Sequence, residues 1–244
     1  MLQILIRGSE GKQVIELQNQ LATEGYLKDA VDGVFGIKTA NALLKKTGYD
    51  FCIVDDGTNW SQQGDDTNWY QTLGGKVCYE ALKLLVNPLK YEKGNWVDEN
   101  ILGPFKPLLF SNKQILDHTD GRFPWCAAFV HYCTKQVIPD FPMRPKDHWG
   151  LFCSVRAWKH AAELTESLKE IHDAVPGDLV IYDWLHDNVD DHIGIFHSHR
   201  GNSGMFLSLE GTASNAEGVR IRDQSAVSCT IDSAKLLQNR IKFA

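Results

Sequence analysis

The six cysteines of the chain (52, 78, 126, 133, 153 and 229) include no C-x-x-C pair. Scattered single cysteines exclude a zinc ribbon and a dense disulfide framework. No apolar run approaches the roughly 20 residues needed to span a bilayer. Basic residues number 25 against 31 acidic ones, for a formal charge of −6. There is no basic stripe, which argues against a nucleic-acid partner. Met1 to Gly8 offer no basic leader and too short an apolar stretch for a signal peptide. The expectation is therefore synthesis in the cytoplasm and no stable membrane insertion. What is present is an average globular composition, 43% hydrophobic and 23% charged over 244 residues. That suits one large domain or two small ones with real cores.

The first 50 residues carry six basic and six acidic side chains, so the negative charge lies downstream. Val14, Leu17 and Leu21 recur at helical spacing after Ser9, a plausible N-cap, and Gly11. Gly25-Tyr26 closes that helix, Asp32-Gly33-Val34-Phe35-Gly36 reads as a glycine-punctuated loop, and Thr39 to Lys46 as a second short helix. Residues 51–67 are polar and glycine-bearing, the composition of a linker. The expected division is a helical domain over 1–50, a linker over 51–67 and a larger domain over 68–244, its core at 110–235. The lead-in to that domain contains an apolar helical stretch from Val77 to Val86 and a segment broken by Pro88, Pro104 and Pro107.

The run Arg7-Gly8-Ser9, Gly11, Val14, Leu17-Gln18, Leu21, Gly25-Tyr26, Val31-Asp32-Gly33, Phe35-Gly36 and Thr39 resembles the small all-helical peptidoglycan-binding domain of cell-wall hydrolases. It departs at the end of the second helix, where Leu44-Lys45-Lys46 replaces the usual Phe-Gln. The resemblance implies bacterial peptidoglycan as partner, with Tyr26, Asp32, Gly33 and Phe35 as wall-contacting residues.

The segment Phe123-Pro124-Trp125-Cys126-Ala127-Ala128-Phe129-Val130-His131-Tyr132-Cys133 is the most informative in the chain. Pro124 suits a first helical turn, where its missing N–H is not needed. Trp125, Phe129, Val130 and Cys133 follow at helical spacing. Cys126 then falls in the first turn, where unpaired N–H groups and the helix dipole stabilise a thiolate and can hold an oxyanion. Cys133, in mid-helix, gains neither benefit. A buried packing thiol is the competing reading of Cys126.

A thiol nucleophile needs a base and an orienting group. Pro176-Gly177-Asp178 is a turn feeding a strand, Leu179 to Tyr182. His192 to Phe196 and Met205 to Glu210 alternate as half-buried strands around the turn Arg200-Gly201-Asn202-Ser203-Gly204. With the register centred on Gly201, residues whose numbers sum to 402 face each other, and His192 and Glu210 are such a pair. Opposed Cβ atoms lie about 4.5–5.5 Å apart, and a slip of one residue would remove the pairing.

Pro-Trp-Cys-Ala-Ala-Phe-Val, Pro-Gly-Asp-Leu-Val-Ile, Asp-His-Ile-Gly-Ile and Leu-Glu-Gly-Thr, in that order, resemble the CHAP branch of NlpC-type cysteine amidohydrolases and peptidases. The resemblance implies a papain-like α+β domain with an antiparallel sheet that cuts cell-wall amides without a cofactor. It makes Cys126 the nucleophile, His192 the general base and Glu210 the orienting residue. Thr212 stands where many relatives carry Asn and serves as an auxiliary hydrogen-bond donor. Trp125 packs under the helix and borders the groove. His197 and His199 share a strand face away from His192, and no further zinc ligand is evident, so no metal is expected. Asp183, Asp187, Asp190 and Asp191 read as a solvated loop.

Together these features resemble a bacteriophage endolysin, a murein amidase or endopeptidase that reaches the wall after release from the host cytoplasm. The alternatives are a secreted antibacterial effector of the same chemistry, with an immunity protein as partner, and a non-catalytic wall-binding phage component.

Overall fold

Val14, Leu17 and Leu21 fall on one stripe of a helix, and helix α1 (Lys12–Thr23) buries all three. The computed structural model of the chain describes residues 3–5, 7–47, 50–54, 71–85, 94–109, 125–145, 150–199, 204–211 and 218–242. Contacts divide the chain into two units, residues 1–68 and 69–244.

In the first unit, α1 and α2 (Ile37–Thr47) close over a core of Leu5, Leu27, Phe35, Ala40, Leu43 and Val54 with the α1 stripe. Gly25, at φ 82, lets the chain reverse after α1, and the Tyr26 N–H returns to the Leu21 carbonyl at 2.8 Å. Gly11, not Ser9, is the N-cap of α1, with no side-chain cap. The Ser9 carbonyl instead accepts the Phe35 N–H at 2.8 Å, tying the glycine-rich loop to the approach to the helix.

Two corrections follow. Strands β1 (Gln3–Leu5) and β2 (Cys52–Val54) pair antiparallel, so the unit is not wholly helical. Cys52 to Val54, expected in the linker, belong to this ribbon because Val54, with Leu5, packs into the core. The rest of the linker lies outside the described residues.

Gln18 organises the loop over 32–36. Its Nε2 donates to Asp32 Oδ1 at 2.8 Å, the Val34 carbonyl at 3.0 Å and Thr39 Oγ1 at 3.0 Å. Its Oε1 accepts the N–H groups of Asp32 at 3.1 Å and Gly33 at 2.8 Å. A buried amide with this many partners fixes a single loop conformation, because each bond lost leaves a group without water.

The second unit begins with α3 (Leu73–Leu85), a π-helical turn over Val97–Leu102, and a 3₁₀ turn over Gly103–Phe105 leading into α4 (Lys106–Leu109). Helices α5 (Cys126–Val137) and α6 (Val155–Leu164) follow. The strands are β3 (Leu168–Lys169), β4 (Leu179–Tyr182), β5 (His192–His199), β6 (Met205–Glu210), β7 (Gly218–Asp223) and β8 (Val227–Ile231). They form one antiparallel sheet in the order β3-β8-β4-β5-β6-β7, and α7 (Ser233–Gln238) follows it. This is an α+β unit in which α3 and α5 pack on each other and on β5.

Two glycines permit the closest approach in this unit. A Cβ on Gly177, at φ 96, would stand 2.0 Å from the Gly74 carbonyl carbon, and one on Gly74 would meet the Ser233 hydroxyl. The Pro176-Gly177-Asp178 turn is thereby pressed against the start of α3. Asp178 anchors it, accepting the Val175 and Ser233 N–H groups and pairing with Lys169 at 2.5 Å. Among the described residues, no helix is long and apolar enough to cross a membrane.

Gln18→Leu is expected to keep the core filled yet orphan the Asp32 and Gly33 N–H groups, at a cost of about 2 kcal/mol. Hydrogen exchange of those amides in the full chain should accelerate at least tenfold. Wild-type protection in the variant would show that Gln18 does not hold the loop.

Candidate active site

Cys126 is the first residue of α5, with Trp125 as its cap. His192 and the backbone N–H groups of Ala127, in the first turn, and Ile193, on β5, lie against its sulfur and favour its charged form. Burial disfavours the thiolate, but the His192 bond and charge and these two N–H groups outweigh it, so the Cys126 thiol lies below its ordinary value. The other five cysteines go the opposite way. Burial pushes Cys229 up to about 11 and Cys153 up to about 12, and Cys52, Cys78 and Cys133 rise as well.

His192 opens β5 and is 4% exposed. Its Nε2 lies 3.2 Å from Glu210 Oε2, which leaves Nδ1 as the ring nitrogen for the sulfur. Burial opposes the imidazolium, but the bonds and charges of Cys126 and Glu210 raise His192 to about 9. Glu210 ends β6 and is fully buried. It also accepts Ser208 Oγ at 2.5 Å and Arg222 Nε at 2.7 Å on Oε1, and Arg222 Nη2 on Oε2. Burial works against this carboxylate, yet Arg222 first and His192 second hold it at about 2.

The expected register is corrected. Ile195 pairs with Leu209 and Phe196 with Ser208, a sum of 404, while nearer the turn Ser198 pairs with Leu207. His197 is the extra residue of a bulge. Glu210 therefore stands beside Gly194, where a Cβ would come 3.1 Å from its Cγ. The offset of two keeps the same face forward, and the carboxylate leans along the strand, over the glycine, to His192.

Gly211 brings the helix down. A Cβ there would stand 2.5 Å from the Trp125 ring and 2.7 Å from Phe129 Cβ. Trp125 is fully buried, edge-on to Phe129, and so packs under the helix without bordering a groove. Thr212, Pro124 and the turn residues 200–203 lie outside the described residues.

Of the wall-contacting residues, Phe35 is corrected to a core position, fully buried among α1 and α2. Gly33, at φ 75, is buried under Ile15 and donates to Gln18. Asp32 is a loop-capping carboxylate that accepts the Val34 N–H, at the surface. Tyr26 is exposed and remains available.

Sequence reasoning missed Arg222, Ser208, Gly211 and Trp184. Arg222 had a signal: Arg220 and Arg222 alternate with Val219 and Ile221, and β7 pairs with β6, the strand that carries Glu210. Trp184 stacks on the His192 ring with centroids 4.9 Å apart. It follows β4 in the acidic loop and carries no strand periodicity to point to it.

Residues 10–45 match the family model of the peptidoglycan binding domain. The N-terminal segment is thus similar to modules that bind cell-wall polymer, and peptidoglycan is the partner this match supports. No curated protein and no solved structure matches the chain.

Arg222→Met leaves the buried Glu210 carboxylate without its stronger cation, at an expected cost of about 3 kcal/mol. Because the wild-type carboxyl is lowered, its contribution is present above its ordinary 4.5 and lost as pH falls through about 2. In the variant that loss should begin at higher pH. Urea unfolding across the acid range checks both, and wild-type stability at every pH would refute the role.

Proposed function

We propose that the second unit is a cysteine hydrolase of peptidoglycan amide bonds and that the first unit holds it on the polymer. The observation that carries the reading is the grouping of Cys126, in the first turn of α5, with His192, which is itself hydrogen-bonded to Glu210. A lowered thiol beside a raised imidazole is the charge state a nucleophilic cysteine needs. The CHAP-like motifs along the sequence support the same chemistry and a papain-like reading of the fold.

In this mechanism the Cys126 thiolate attacks the amide carbonyl carbon, a C–S bond forms, and the electron pair moves to oxygen. N–H groups at the start of α5 receive the oxyanion. As the C–N bond breaks, the His192 imidazolium gives its proton to the leaving amine. The neutral imidazole then takes a proton from water, which attacks the thioester and releases the thiolate. Glu210, fixed by Arg222 and Ser208, holds the imidazole in one tautomer. The substrate is either the muramoyl–alanine amide or a peptide bond of the stem or bridge. Binding through the first unit raises the local concentration of enzyme on an insoluble substrate. The biological role is endolysin-like: made in the cytoplasm, acting on the wall after release.

Digestion of purified Gram-negative murein by wild type and Cys126→Ala, with products identified by mass spectrometry, tests the reading. New amino termini should appear with wild type only, while Cys126→Ala still sediments with murein. The rate should fall on the alkaline side as His192 loses its proton near about 9, and on the acid side where the lowered Cys126 thiol is protonated. No soluble product from either protein, with binding retained, would leave a wall-binding protein without hydrolase activity.

A further inference from the structure

Glu210 has two cationic neighbours, His192 and Arg222, and one partly exposed side chain touches both. The Trp184 indole lies nearly parallel to the His192 ring, 22° off at 4.9 Å, and the Arg222 guanidinium stands 5.2 Å from the indole centroid. Tyr182 also neighbours both, at 5.7 Å each, but is wholly buried. Trp184 is 43% exposed while His192 is 4% exposed, so the indole is a boundary between the imidazole and solvent.

Its place is fixed from within the loop. The Asp191 carboxylate accepts the Trp184 N–H at 2.9 Å, and the Asp191 N–H returns to the Tyr182 carbonyl at 2.8 Å. Asp183 accepts the N–H groups of Asp187 and Asn188, and Asp187 that of Val189. Asp190 pairs with Lys159 at 2.9 Å and accepts the Ser228 hydroxyl. The acidic run is thus a set of internal and lateral ties, and two non-glycine residues at positive φ, His186 and Asn188, sit inside it. Such backbone conformations persist only where the surroundings hold them. The chain invests this order between the last residue of β4 and the first residue of β5, which is His192.

We propose that Trp184 is a positioning residue, whose indole covers His192, excludes water from it and holds the imidazole in line between Cys126 and Glu210. An aromatic face against a cationic ring stabilises the charge, more so when both are desolvated. The groups facing His192 are Cys126 from α5, Glu210 from β6 with Arg222 of β7 behind it, and Tyr182 from β4. Trp184 is the aromatic surface on the solvent side of that set. The inference rests on Cys126 and His192 acting as the pair proposed above, but its test needs no wall substrate.

The readout is the pH dependence of Cys126 alkylation by iodoacetamide, followed on the Cys126 peptide by mass spectrometry in the full chain. Trp184→Leu keeps bulk without an aromatic face, and Trp184→Phe keeps a ring. In Trp184→Leu the rate on the acid limb of the profile should fall about tenfold, with that limb moving toward an ordinary thiol. Trp184→Phe should retain most of the wild-type rate, and both should melt with wild type. A wild-type profile in Trp184→Leu, or an equal loss in Trp184→Phe, overturns the proposal. Wild-type protein that shows the reactive thiol yet cuts no murein would sink the hydrolase reading and leave this result standing.

Discussion

A carboxylate taken out of water costs several kcal/mol unless its lone pairs are matched, and Glu210 is out of water entirely. Its two oxygens receive a hydroxyl, a guanidinium and an imidazole. Everything distinctive about the second unit is arranged around that demand. β5 supplies the imidazole, β7 the guanidinium and β6 both the hydroxyl and the carboxylate, so three neighbouring strands must hold their registers for the charge to be tolerated. Once it is tolerated, it fixes an imidazolium beside a sulfur at the start of a helix. The polarity of the line runs one way: Arg222 secures Glu210, Glu210 secures His192, and His192 lowers Cys126.

The helix reaches that line because side chains are missing where it touches down. Gly211 directly follows Glu210 and receives the Trp125 ring and Phe129. Gly194 leaves the carboxylate room to lean toward His192. Gly74 and Gly177 do the same for α3, which packs on α5. The first unit adds hydrogen bonds to its apolar core, since one buried amide, Gln18, holds the loop over 32–36.

Local chemistry made much of this legible in the sequence. The α1 stripe, the turn at Gly25, the strands at 179–182, 192–196 and 205–210 and the place of Cys126 in a first helical turn follow from spacing and punctuation, and the structure bears them out, extending the second strand to His199. The N-terminal ribbon was not legible, because two three-residue strands at opposite ends of a segment give no periodic signal. Phe35 was misread because the resemblance marks the glycine-rich loop as wall-contacting without telling which of its side chains turns into the core. Arg222 escaped because it acts across a strand pair, and a single-strand reading shows only that it shares a face with Arg220. Trp184 belongs to a loop tied by its own aspartates, and those ties are invisible in a count of acidic residues.

The bulge at His197 separates two stretches of one hairpin that differ by a single residue in offset. On the turn side the pairs sum to 405 and on the site side to 404, so the orientation of His192 is not inherited from the length of the turn. A one-residue insertion or deletion near the tip can be taken up by gaining or losing the bulge. It need not rotate every side chain of β5 onto the opposite face. The bulge thus works as a mechanical decoupler, letting the register beside the site differ from the register nearer the turn.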